Sequence, residues 1–205
     1  GSAERLQAVM NMGPLSQYPG TPDAPVPARQ TVGDTPVTVI AHEAGHLFLA
    51  FASVRDPDDP LARPMLGYQS AHWFFGFNSD ASLLEGNRIQ DRGPNVSPRF
   101  LTTGTVAGFS PLDQYLMGLR GPNEVEPEHQ MFYVTGTPAS FARRLPVTDA
   151  TFDGGRRDVH LDEIIGIEGR RTPDSTVSQR RFRFAFILVV KAGTQPSQEE
   201  LAKLE

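Results

Sequence analysis

The segment VIAHEAGHLFLAF, residues 39 to 51, constrains this chain more than any other. It is apolar nearly throughout, which asks for burial, yet His42, Glu43 and His46 interrupt it. Burying two imidazoles and a carboxylate without partners is costly, so the fold around them must satisfy them. Asp34 or Thr35 can cap a helix here, and Pro36 suits its first turn. Val37, Ile40, Ala41, Ala44, Leu47, Phe48 and Phe51 then recur at helical spacing. The pattern predicts an interior helix over residues 36–53, apolar nearly all round.

His42 and His46 lie four residues apart and project from one face of such a helix. Two neutral imidazoles so placed can reach one tetrahedral cation, and zinc (Zn2+) is the expected ion. Glu43 is too close in sequence to His42 to join the same coordination sphere. It is placed instead to take a proton from water at the ion. This is the H-E-x-x-H arrangement, two ligands and a general base. Gly45 lets another part of the chain, or a substrate, approach the helix, at about 1 kcal/mol of helix propensity. The blander reading is a polar cluster bonded to backbone and water.

HEAGH in such a helix resembles the zincin (HExxH) zinc metallopeptidases. Two further segments, HWFFGFNSDASLLEGN at 72–87 and SPLDQYLMGL at 110–119, resemble a narrower group of predicted bacterial secreted metallopeptidases. With HEAGH they tie the resemblance to residues 36–119. The segment DVHLDEIIGIEGRRTP at 158–173, followed by FRFAFILVV, is similar to that group as well. The resemblance implies an α+β, zincin-like fold with a central active-site helix on a small mixed or antiparallel sheet. It implies a zinc-dependent endopeptidase acting on protein or peptide, outside the cell or in its envelope.

A catalytic zinc site takes three protein ligands and leaves a position for water. A metzincin would carry glycine and histidine three and six residues after His46, but Leu49 and Ala52 stand there, so that subclass is excluded. Asp113, on a second helix, is the first choice for the third ligand, because carboxylates from a second helix complete the site in other zincins. In S-P-L-D it can equally close a capping box. Glu85 is the second candidate and His72 the third. His72, beside Trp73, also suits a catalytic donor to a substrate oxyanion. Asp80 reads as a turn residue, Tyr115 and Met117 as core.

The 205 residues carry a net charge of −5, which argues against nucleic acid as a partner. No apolar run is long enough to span a bilayer. There is no cysteine, which removes disulfides and thiolate ligands. Gly1-Ser2 reads as a tag remnant, and residues 1–30 as that remnant with a proline-rich arm or linker. The remainder, 31–205, reads as one metallopeptidase domain with its core at 36–119 and a C-terminal subdomain at 120–205. Strands are expected at 72–77, within 88–105, at 132–134 and at 181–190. Capping boxes announce helices after Ser110 and Ser197. The rival function is a non-catalytic, zincin-derived binding or structural module of a larger secreted protein. The intact glutamate in HEAGH favours the enzyme, since a structural site needs no base there.

Overall fold

Thr35 opens the first helix, α1 (Pro36–Gly45), through a reciprocal capping box: its hydroxyl accepts from Thr38 N–H, and the Thr38 hydroxyl accepts from Thr35 N–H. The computed structural model describes residues 6–27, 29, 33–48 and 52–204. Residues 49–51 of the expected helix lie outside that set. Even so, α1 is shorter than its apolar periodicity predicts. After Gly45 the chain tightens, with Leu47 N–H bonding Ala44 and Phe48 N–H bonding Gly45 in three-residue turns.

The helix also buries a different face from the one expected. Val39, His42 and Gly45 are buried, whereas Val37 is 50% and Leu47 44% exposed. The titratable face is the inner one. A Cβ on Gly45 would lie 3.1 Å from the Phe109 ring and 3.2 Å from Leu84, so the bare glycine lets irregular chain close on the helix.

The fold mixes helices with small antiparallel sheets. β1 (Asn87–Asp91) pairs with β2 (Phe100–Thr105), which pairs with β4 (Thr151–Phe152). A second sheet joins β3 (Phe132–Thr135) to β5 (Gly155–Asp158). Asp91 accepts from Arg99 at 2.6 Å and Arg156 at 3.1 Å, tying the β1–β2 hairpin to β5. The Arg99 hydrogen bond in particular holds the Asp91 carboxyl well below the usual carboxylate range.

The remaining helices are α2 (Pro111–Leu116), α3 (Leu161–Glu168) and α4 (Gln198–Ala202). Ser110 and Ser197 cap α2 and α4 as their sequences predict. No helix among the described residues is long and apolar enough to cross a membrane.

Two apolar clusters form the core. One gathers Val54, Met65, Trp73, Phe77, Leu84, Leu112, Tyr115 and Ile164 among others, the second Phe75, Ile89, Phe100, Phe132, Phe141 and Phe152. Both draw residues from either side of residue 120. The segment 72–77 is not the expected strand. Only isolated bridges form there, Leu66 with Trp73 and Phe77 with Tyr133. It threads between the clusters, giving Trp73 and Phe77 to one and Phe75 to the other.

Residues 181–190 also form no strand. Phe184, Phe186, Ile187 and Val189 are exposed, because no neighbouring strand meets their backbone among the described residues. Strand propensity without a partner is not enough. The proline-rich arm is partly anchored: Val26 is buried, and its N–H bonds the Asp34 carbonyl at 2.7 Å.

Candidate metal centre

Three histidines converge where α1 meets the loop before Trp73. His42 Nε2 lies 3.1 Å from His46 Nε2 and 3.2 Å from His72 Nε2, and one ring nitrogen from each lies within 4.8 Å of the others. His42 and His72 are buried and His46 partly so. The group could hold a metal ion. A tetrahedral cation with Zn–N bonds of about 2.0–2.1 Å sets its ligand nitrogens roughly 3.3–3.4 Å apart, close to the two distances from His42, with the remaining His46–His72 pair within 4.8 Å.

The outward nitrogens fix the tautomers of two rings. His42 Nδ1 sits 2.7 Å from the Leu83 carbonyl, and His72 Nδ1 sits 2.9 Å from the Tyr68 carbonyl. A carbonyl only accepts, so each Nδ1 carries the proton. Each Nε2 then presents a lone pair, and the two nitrogens lie 3.2 Å apart. Two acceptors brought together in this way can both bind one cation.

Burial lowers the pKa of His42. Burial, then the neighbouring His42 and His72, lower His46 to about 4. These groups therefore bind fewer protons folded than unfolded between about pH 6.5 and about 4. These histidines take stability from the metal-free protein as pH drops through that window, while the raised carboxyls of Asp113 and Glu85 act in the opposite sense. In urea unfolding with chelator, the wild type is therefore expected to lose stability relative to His46→Gln as pH falls from about 6.5 to about 4.

Asp113 does not join the histidines. Its Oδ2 accepts from Ser110 N–H at 2.8 Å, closing the α2 capping box, and its Oδ1 accepts from the Trp73 indole at 3.0 Å. Burial pushes its pKa up to about 6, while bonds from Ser82, Ser110 and Trp73 pull the other way. The expected first-choice ligand is a structural cap, because both of its oxygens are already engaged with N–H donors.

Glu85 lies next to the centre. Its Oε2 is 3.8 Å from His72 Nδ1, on the ring's outer side. Burial raises its pKa, while the nearby His72 and Arg29 pull the other way. His72 Nδ1 is committed to Tyr68 and its Nε2 faces His42, so this geometry does not support the expected donor role. Glu43 is half-buried, and its charge reaches His46.

Asp80 pairs with Arg88 at 2.6 Å in a turn. Tyr115 is buried in the core, its hydroxyl oxygen accepting from Arg171 N–H.

The Leu83 and Tyr68 carbonyls escaped the sequence reading because backbone acceptors leave no residue-type signal. The Tyr68 ring, stacked on His72 at 5.9 Å, left only a four-residue spacing. Arg29, which pairs with Asp34 at 3.3 Å, brings positive charge near His42 and Glu85 from a segment that reads as linker. Comparison of the chain with protein-family models, curated proteins and solved structures finds no match.

Proposed function

We propose that this chain is a zinc-dependent endopeptidase of zincin-like fold, with His42, His46 and His72 as the metal ligands and Glu43 as the general base. The observation that carries the reading is that the Leu83 and Tyr68 carbonyls engage Nδ1 of His42 and His72, leaving their Nε2 atoms 3.2 Å apart and beside His46. Three imidazoles suit zinc, copper, nickel or iron. Zinc is preferred because the glutamate following His42 gives the set a hydrolytic base.

A bound zinc ion supplies Lewis acidity to the substrate carbonyl and lowers the pKa of attacking water. The rest falls to side chains of the chain itself. The triad holds its ring nitrogens in one place, each of two rings locked by a backbone acceptor. Glu43, adjacent to His42 and partly open to solvent, takes the proton from water and delivers it to the leaving amine. Leu84 and Phe109, close against α1 at Gly45, form part of the apolar wall that keeps bulk water from the buried side.

The test is hydrolysis of a peptide library by purified protein. Activity that is lost to a chelator and restored by stoichiometric zinc supports the reading. A protein that binds zinc through the triad yet cleaves no peptide would transfer the site to the structural-module alternative.

A further inference from the structure

The loop from Asn78 to Asn87 is built as a rigid support for the histidines. Asn78 and Asn87 are buried and bond the backbone of four residues, Gln130, Ile89, Phe75 and Val147. Ser82 Oγ accepts from both Leu84 N–H and the Trp73 indole at 3.1 Å. Gly86 tolerates no side chain, since a Cβ would fall 1.9 Å from Ser79 Oγ. The loop thereby presents two groups to two different ligands: the Leu83 carbonyl to His42 Nδ1, and the Glu85 carboxylate to His72 Nδ1.

Glu85 holds a left-handed backbone, φ 54°, in this loop. Glycine would occupy that conformation without strain. A glutamate there costs backbone energy, and its side chain lies mostly covered, 15% exposed, with its oxygen directed to the ring that also receives the Tyr68 carbonyl.

We infer that Glu85 is a positioning residue of the centre: with the Nδ1–H of His72 already bonded to Tyr68, the Glu85 carboxylate 3.8 Å away acts through charge, compensating the positive charge that ring takes on when its Nε2 binds a cation. This rests on the triad being a metal site. Carboxylates behind ligand imidazoles orient the ring and strengthen it as a donor, and their loss typically weakens metal binding about 10–100-fold.

The experiment measures zinc affinity by competition with a chromogenic chelator for the wild type, Glu85→Gln, Glu85→Gly and, as a control in the same loop, Asp80→Asn. Thermal unfolding of the metal-free forms is followed in parallel. Glu85→Gln keeps the side chain's shape and is expected to bind zinc about 10–100-fold more weakly with an unchanged metal-free melting temperature. Glu85→Gly relieves the backbone strain and is expected to be no less stable, yet equally weakened in zinc binding. A residue that merely supports the fold cannot give that split. Asp80→Asn is expected to bind as the wild type does.

Wild-type affinity in both Glu85 variants overturns the inference while leaving the metal site standing. So does an equal loss in Asp80→Asn, which would assign the effect to the loop as a whole. A wild type that takes up no zinc overturns both the inference and the metal reading beneath it.

Discussion

Glu43→Gln is expected to retain zinc at the wild-type stoichiometry and to lose about 10²–10⁴-fold in kcat. The substitution changes one oxygen for an amide nitrogen at nearly constant volume, on a partly exposed face of α1. It leaves His42, His46 and His72 untouched, so the ion should remain. What disappears is the capacity to accept a proton from the attacking water and return it to the amine. Elemental analysis and single-turnover peptide cleavage check the two halves separately. Full activity in this variant would remove Glu43 from the mechanism and move attention to Glu85, the other carboxylate near the triad.

The second large effect separates His72 from Asp113 as the third ligand. His72→Ala is expected to lower zinc affinity by more than the roughly 100-fold upper range for an outer partner, because it deletes a donor atom itself. His46→Ala should do the same. Asp113→Ala should instead keep one zinc per chain and lose stability, by about 2–4 kcal/mol, through the missing cap and the buried Ser110 N–H left without an acceptor. Metal content, chelator competition and urea unfolding on the three variants read out both quantities. Zinc lost in Asp113→Ala while the fold holds, with His72→Ala unaffected, would restore the carboxylate as ligand.

Those expectations show which parts of the site a sequence can express. The caps of α1, α2 and α4 were legible because a cap is local: Thr35 with Thr38, Ser110 with Asp113 and Ser197 with Glu200 each lie within one turn. The β1–β2 hairpin and β3 were legible for a similar reason, their residue types suiting short paired strands. The inner face of α1 was not. Apolar periodicity pointed to Val37 and Leu47, both exposed, and away from the histidine face.

The third member of the cluster was ambiguous in a more basic way. Asp113, Glu85 and His72 all have suitable atoms, and only the meeting of distant loops decides between them. Asp113 also fitted a capping box, and its neighbours in space use it as one. At 181–190 the residue types suited a strand, but a strand needs a second strand, and none among the described residues pairs with it.

The converging histidines have a consequence for the chain as a polymer. One stands on α1 and one caps its C-terminal end, and the third follows His46 by 26 residues. Between them the described residues 52–71 hold only one short 3-10 turn, Tyr68–Ser70. A cation gripped by all three would be a cross-link closing that stretch into a ring. By the loop-entropy relation used for disulfides, such a closure removes about 3.5 kcal/mol of freedom from the denatured ensemble. In a chain without cysteine, the atom proposed to activate water would also serve as the covalent bridge the sequence does not have, so that chelation would slacken the scaffold as it stops the chemistry.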